Sequence, residues 1–179
     1  MAVKQFNLAQ GQRAERKLLI TVAEWTETDS SGGTPVTTTV REILGTRTPD
    51  SSIEYNPDME TSTDVRGINY TDVNKTQPQQ DFDPHLVLGG AKLGAKLNDI
   101  RRRNAISELN QFTLYVITAF VGDATNGYEA EKHTGCTIMY NSIGGDSNVN
   151  FPISIYFSNI ITTGTVDKLS DDFEFTADV

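Results

Sequence analysis

Residues that could bind a metal ion are sparse in this sequence. Asp81, Asp83 and His85 alternate along the chain, so all three side chains would point to one side of a strand. The same run, Asp-Phe-Asp-Pro-His, is typical of a solvated turn, and Pro84 would interrupt a strand. We favour the turn, since a metal site needs more ligands than this alternation supplies.

Nucleophilic and phosphate-binding motifs are also incomplete. His133 and Cys136 form a pair without the further ligands that zinc requires. Cys136 is the single cysteine, which excludes an internal disulfide, and its strand-like surroundings favour a buried structural thiol. Gly89 and Gly94 have the outer spacing of a phosphate-binding loop, but the Lys and Ser/Thr that should follow are missing. We therefore predict no catalytic site, no metal and no cofactor, and we expect a protein that is not an enzyme.

Two other features favour structural explanations. Arg101, Arg102 and Arg103 point in three directions around a helix, so they cannot form one phosphate clamp. We expect these arginines to pair with carboxylates of the same subunit or of a neighbouring one. Trp25 could form a sugar-stacking platform, but a strand tryptophan is more often a core residue.

The composition is that of an acidic globular protein. The 179 residues are 37% hydrophobic and 22% charged, and the formal net charge is -9. Such a surface repels nucleic acid, which argues against tight binding to phosphates. The N-terminus lacks the apolar core of a signal peptide, and no segment has the apolar length needed to cross a bilayer. We expect synthesis in the cytoplasm and no membrane insertion.

The hydrophobic pattern predicts many short strands and one helix. Residues 16–28 carry apolar side chains on both faces, which predicts a strand covered on two sides, and residues 36–45 form the second arm of a hairpin. Residues 89–109 are predicted to form the helix, which carries two separate apolar patches. Either contact with two different surfaces or a kink near Gly94 or Asn98 would explain the two patches. Further strands are predicted at residues 111–121, 128–143 and 149–160, with a short closing strand at Phe173 and Phe175. The predicted fold is one domain over residues 1–179, mainly β (α+β), a sandwich or barrel with one flanking helix.

The polar stretch at residues 46–84 is the most unusual part of the chain. It is too long for a structureless loop and too rich in β-branched and aromatic residues for a disordered linker. We predict an extended arm over residues 46–63, followed by a sheet strand at residues 64–73. The apolar side chains of the stretch would be buried against something else, with another copy of the protein as the leading hypothesis. These side chains are Ile53, Tyr55, Met59, Val65, Ile68, Tyr70, Val73 and Phe82.

A pattern of turn residues runs through this stretch. Its elements are Leu44-Gly45, then the run from Ser52 to Gly67 with Asn56-Pro57, Glu60-Thr61 and Asp64-Val65, and finally Phe82-Asp83-Pro84. The pattern resembles the tail tube proteins, or major tail proteins, of long-tailed bacteriophages. Those of phages that infect Gram-positive hosts share an "Asn-Pro … Glu-Thr … Asp-Val … Gly" run after the second strand. The order of predicted elements also fits across most of the chain.

This resemblance implies a specific architecture. Tail tube proteins have a β-sandwich-like fold with a flanking helix, and six copies form a ring whose inner sheets join into one barrel. Rings stack into a hollow tube in the virion tail, through which DNA passes without specific binding. The implied partners are other copies of the chain and other tail proteins (tape measure, tail terminator and baseplate). The implied inter-subunit arm covers residues 47–63, and a second contact loop covers residues 26–35. The candidate interface residues are Asp29, Ser30, Pro35, Pro49, Ile53, Tyr55, Asn56, Pro57, Met59, Arg101, Arg102 and Arg103.

Two other functions stay open. Another ring-forming virion component, such as a head-decoration or tail-terminator protein, would share this composition. A β-sandwich module that binds carbohydrate or cell-surface ligands would favour clustered exposed aromatic side chains and usually an export signal. The single tryptophan and the absent signal rank this module below the virion proteins.

Overall fold

The computed structural model describes residues 5–29 and 34–178. This part of the chain is mainly antiparallel β-structure with one α-helix, α1 (Lys92–Arg103), which confirms the predicted fold class. No helix within it has the length and apolar content needed to span a membrane. The strands are β1 (Leu19–Asp29), β2 (Val36–Ile43), β3 (Ile53–Glu54), β4 (Asp58–Thr63), β5 (Asn69–Lys75), β6 (Gln79–Phe82), β7 (Phe112–Asp123), β8 (Gly127–Tyr140), β9 (Ile153–Tyr156), β10 (Ile161–Val166) and β11 (Phe175–Ala177).

The main sheet is organised around β8. Its strand order is β2-β1-β7-β8-β9-β6-β3, and β10 also pairs with β8 and carries β11 on its far edge. Tyr156 of β9 faces Thr137, while Ile161 of β10 faces His133. Residues 157–160 connect these two strands, which pair with successive parts of β8 and have different neighbours on their other sides, β6 for β9 and β11 for β10.

The main sheet curls toward a barrel-like shape. The Thr21 hydroxyl of β1 donates a hydrogen bond of 2.8 Å to Gln80 Oε1 of β6, although these strands are not neighbours in the sheet. The Ser51 hydroxyl donates to the Asp81 carbonyl at 2.7 Å, and Arg16 Nε donates to the Ser51 carbonyl at 2.9 Å. These contacts bring the start of β1 close to β6.

Strand β1 separates two apolar cores, as the apolar residues on both its faces predict. Ala23 and Trp25 lie in the main core with Leu97 of α1, whereas Val22 lies in a second core with Phe173. Trp25 is buried and its Nε1 donates to Glu27 Oε1 at 2.8 Å, so the prediction of a core tryptophan is confirmed. Strand β7, predicted over residues 111–121, contributes to both cores.

The helix is shorter than the predicted range of residues 89–109. The backbone N–H groups of Lys92 and Leu93 donate to the Glu42 carboxylate, which caps the first turn of α1. Asn104, in the left-handed conformation with φ of 55°, ends the helix, and a 3-10 turn follows over Ile106–Asn110. Leu109 of that turn is buried in the main core. The change from α-helix to 3-10 turn at Asn104 therefore accounts for Leu109 of the second apolar patch without a kink near Gly94 or Asn98, whereas Ile106 of that patch is exposed.

The polar stretch also differs from its prediction. Residues 46–63 are not one extended arm, because Ile53–Glu54 already joins the main sheet as β3. Residues 64–73 are not a strand of that sheet, because the chain reverses at residues 64–67. Strand β5 then pairs with β4 in a separate two-stranded sheet. We name residues 58–75 the arm hairpin.

Candidate functional site

The arm hairpin continues the edge of the main sheet. Ile53 faces Gln80 in β3 and β6, and Asp58 faces Lys75 in the same register, but an irregularity between Asp58 and Met59 shifts the rest of the β4–β5 pairing by one residue. Between Ile53 and Asp58 the ladder is interrupted, since Pro57 on one strand and Pro78 on the other have no N–H to donate. The hairpin is therefore rooted in the sheet but separated from it by a break in the hydrogen-bond ladder.

The root of the arm hairpin keeps a few specific contacts. Asn56 has a φ of 41°, in the left-handed region that asparagine tolerates better than most residues. The backbone N–H of Gln77 donates to the Tyr55 carbonyl at 2.9 Å, directly beside the two prolines. The Asn-Pro element of the sequence pattern thus marks the position where the hairpin leaves the sheet.

Asp64 organises the tip of the arm hairpin. Its Oδ1 accepts hydrogen bonds from the backbone N–H groups of Arg66 and Ile68 at 2.8 and 2.9 Å. Its Oδ2 accepts one from the Tyr70 hydroxyl at 3.1 Å. Gly67 has a φ of 77°, which a side chain would strain. The Asp-Val … Gly element of the pattern is therefore the reversal itself, which is why no strand begins before Asn69.

The register gives the arm hairpin two chemically different faces. One face pairs Met59 with Val73, and its threonines Thr61 and Thr71 lie opposite each other with hydroxyl oxygens 3.4 Å apart. We name this the apolar face. The other, acidic face pairs Glu60 with Asp72 and Ser62 with Tyr70.

The arm hairpin has no other element of the described chain to pack against. All residues of β4 and β5 are exposed, and the side chains of Met59 and Val73 are 57% and 58% exposed. From root to tip it extends about 20 Å, at roughly 3.3 Å per residue. An isolated two-stranded hairpin is marginally stable in water. Its exposed apolar side chains therefore fit contact with another surface better than a solvated end state.

The tip is expected to loosen in acid. The backbone hydrogen bond from Ile68 is the largest cause that lowers the pKa of Asp64 below its ordinary value of 3.8. A lowered folded-state pKa means that the stabilisation is complete above the unfolded value and is lost as pH falls through the folded value. We expect the amide NMR shifts of Arg66 and Ile68 to stay constant down to about pH 4 and to move below it.

The matched variants are Asp64→Ala and Asp123→Ala. Asp123 accepts the same kind of backbone hydrogen bonds, from Thr125 and Asn126, in the turn between β7 and β8. Only Asp64→Ala should shift the Arg66 and Ile68 amides at neutral pH. A transition of these amides centred well above pH 4 would contradict this assignment.

The predicted arm residues lie at and beside the hairpin root. Tyr55, Asn56 and Pro57 are exposed at the root, and Met59 is exposed on the apolar face. Ile53 differs, because it is half-buried and packs against the main core of its own chain. Pro49 is exposed but precedes β3, so it lies outside the hairpin. Phe82, another apolar residue of the stretch, is likewise buried in the main core.

The predicted second contact loop is described only at its ends. Asp29 is the last residue of β1 and faces Val36, the first residue of β2. Pro35 is exposed directly before β2. Ser30 lies outside the described residues.

The three arginines have different environments. Arg103 pairs with Asp99 at 2.6 Å and with Glu108 at 2.8 Å, and its hydrogen bond is the main cause that lowers the pKa of Glu108 to about 2. Arg101 donates to the Asn98 side-chain oxygen at 2.9 Å and has no carboxylate partner in the described chain. Arg102 is exposed, and its side chain makes no hydrogen bond or ion pair within that part.

The candidate metal ligands do not assemble. No group of three or more His, Cys, Asp or Glu side chains suited to a metal ion occurs among residues 5–29 and 34–178. Asp81 and Asp83 are exposed, and His85 is buried. Cys136 is completely buried, as predicted, and burial raises the pKa of its thiol, which makes it a poor nucleophile.

A surface concavity of about 710 Å³ beside β1 and β2 also has a structural explanation. The Arg41 guanidinium lies 4.4 Å from the centre of the Phe173 ring and pairs with Glu24. The Tyr115 hydroxyl donates to Glu24 Oε2 at 3.2 Å, and burial raises the pKa of Tyr115 to about 12. The polar groups at this position bind one another.

Sequence reasoning missed the second strand of the arm hairpin. It placed Tyr70, Asp72 and Val73 in a sheet strand over residues 64–73 and did not name them among the candidate interface residues. The signal that could have placed them was the run from Asp64 to Gly67, where an aspartate and a glycine three residues apart form a turn between two alternating segments.

Comparison with known proteins gives little further information. The sequence matches no protein-family model, and it matches no curated protein. Among solved structures, the fold is similar to that of a chain in the cryo-EM structure of the anti-feeding prophage baseplate, symmetrised six-fold. The two chains share 11% sequence identity with a TM-score of 0.42, and the similarity covers 90% of this chain and 100% of that chain. A likeness this distant gives no information on what this chain binds.

Proposed function

We propose that this chain is a structural virion protein that assembles into stacked hexameric rings, which form the hollow tail tube of a long-tailed phage. In this role it performs no catalysis, needs no cofactor, and contacts other tail proteins at the ends of the tube. DNA passes through the tube without being bound specifically.

The observation that carries this proposal is the arm hairpin. It projects from the sheet, has an apolar face with no partner in the described chain, and is too small to be stable alone. Contact with a second copy of the chain would bury Met59 and Val73, each worth about 1.5–3 kcal/mol when fully removed from water. The root, first strand and tip of the hairpin also overlap the run of residues that resembles tail tube proteins, from Ser52 to Gly67.

The edge of the main sheet supports the same proposal. Strand β2 is the last strand in the order on its side, and its first residues, Val36 to Thr39, are exposed. An exposed edge strand presents unpaired N–H and C=O groups that another strand can satisfy. In a closed ring, the neighbouring subunits would cover these edges on every copy.

Electron microscopy of the purified protein over a range of concentrations tests this function. Hollow tubes with a regular axial repeat and six-fold end views are the expected result. Single rings that never stack would instead favour a tail-terminator protein, and trimers would favour a head-decoration protein. A protein that stays monomeric at every concentration and salt condition would overturn the proposal.

A further inference from the structure

We propose that the acidic face of the arm hairpin docks on the C-terminal end of α1 in a neighbouring copy, with Glu60 and Asp72 paired to Arg101 and Arg102. This inference rests on the proposed function, because it specifies which surface of the next subunit receives the hairpin.

The first observation is a like-charge pair. Glu60 and Asp72 lie directly opposite each other on antiparallel strands, where side chains approach to about 4.5–5.5 Å between Cβ atoms. Carboxylates in this position repel each other, and neither one has a hydrogen bond or an ion pair within the described chain. The repulsion between these carboxylates therefore destabilises the hairpin in the free subunit. A cation that approaches this face would reduce the repulsion and stabilise the hairpin.

The second observation is the charge of α1. Its sequence, KLGAKLNDIRRR, carries five cations and one carboxylate in a protein whose net charge is -9. Three of these cations already have partners in the chain: Lys92 pairs with Asp171, Lys96 with Glu108, and Arg103 with both Asp99 and Glu108.

Arg101 and Arg102 are left exposed without a carboxylate at the end of the helix. Cations at the C-terminal end of a helix interact favourably with the helix dipole. This interaction accounts for the position of the two arginines, but it leaves them without an anionic partner. The 3-10 turn begins two residues after Asn104, at Ile106, and the side chain of Ile106 is exposed. This end of α1 therefore combines two guanidinium groups with an apolar side chain.

The two surfaces are complementary in charge and composition. The hairpin offers two carboxylates beside the ring of Tyr70, and the helix end offers two guanidinium groups beside Ile106. Arginine pairs with carboxylates through a planar fork, which also fixes the orientation of the contact. Electrostatic pairing of this kind sets register and selects the correct partner.

The occupant is a second copy of this chain, since each copy carries both surfaces. The arm hairpin and α1 belong to different elements of the same subunit, and all residues of β4 and β5 are exposed. A head-to-tail contact that uses two different patches closes into a ring or stacks rings, depending on the rotation between subunits.

A charge-reversal series on the full chain tests the docking. The variants are Glu60→Arg with Asp72→Arg, Arg101→Glu with Arg102→Glu, and all four changes in one chain. The measurement is the critical concentration for assembly, from sedimentation, at an ionic strength of about 0.1 M, where surface charges are still felt over about 10 Å. Each paired reversal should raise this concentration by about tenfold or more, and the fourfold variant should return it to near the wild-type value.

The control is Asp50→Arg with Asp146→Arg, which changes the net charge as much as the reversal on the hairpin does. It should leave the critical concentration within about threefold of wild type, because neither carboxylate lies on the acidic face. Thermal unfolding of each variant checks that the body still folds.

Several outcomes overturn the docking while leaving tube assembly intact. One is an unchanged critical concentration in either paired reversal. Another is a loss that the fourfold variant does not repair, or a loss with the arginine reversal alone, which would mean that the arginines meet a different anion. A wild-type chain that never assembles overturns both this docking and the proposed function.

Discussion

Replacing the arm hairpin, residues 58–75, with Asn-Gly is expected to give a folded protein that forms no tubes. The register that β3 shares with β6 also includes the Asp58–Lys75 pair and places Pro57 opposite Thr76, so a two-residue turn can join them. The cores contain none of the deleted residues, so the melting temperature should change by no more than about 3 °C. Electron microscopy at a concentration where the wild type is fully polymerised should show no tubes.

A pair of double variants shows whether the apolar face causes this loss. Met59→Ser with Val73→Ser keeps the hairpin but removes its two large apolar side chains, and should raise the critical concentration at least about tenfold. Thr61→Ser with Thr71→Ser changes the same face with little loss of apolar area, and should assemble almost normally. If the Asn-Gly variant polymerises like the wild type, the arm hairpin is not an assembly element.

Leu97→Ala in α1 is expected to lower the free energy of unfolding by about 2–5 kcal/mol. Leu97 is completely buried in the main core, and the smaller side chain leaves a cavity between the helix and the sheet. For a chain of this length, each kcal/mol lowers the melting temperature by about 2–4 °C. Denaturant unfolding followed by circular dichroism measures the change.

Val87→Ala is the comparison for this substitution. Val87 is 49% exposed and lies outside both cores, so its truncation should cost less than about 0.5 kcal/mol. A loss of less than about 1 kcal/mol for Leu97→Ala would mean that α1 is not packed on the sheet as described.

The regular elements were predictable because their patterns depend on nearby residues. Strand β1 was predicted with both faces covered, because apolar residues occupy odd and even positions alike. The end of α1 was not predictable from hydrophobic spacing, since Ala105, Ile106 and Leu109 continue an apolar pattern beyond Asn104. What ends the helix is the left-handed backbone of one residue, to which hydrophobic periodicity is insensitive.

The candidate site was predicted only in part for a different reason. The polar stretch was singled out by its apolar residues, and Tyr55, Asn56, Pro57 and Met59 lie on or beside the hairpin. Their contact with another subunit stays a prediction. Which strand pairs with β5 is decided by register, and alternation alone fits β4 and the main sheet equally well. The unpaired state of Arg102 depends on where distant carboxylates lie, which a sequence does not specify.

In the proposed tube, the two prolines at the root of the arm hairpin would affect the kinetics of polymerisation. A hairpin whose hydrogen-bond ladder is broken where it leaves the sheet would lose conformational freedom on docking. Two free subunits must both lose conformational freedom to form a first contact. At the end of an existing tube, in contrast, the docking surface is already ordered when the next subunit binds. In an assembly built this way, nucleation is slow and elongation is fast. Free subunits would accumulate until a template appears, and tube length would then follow the number of templates rather than the supply of protein.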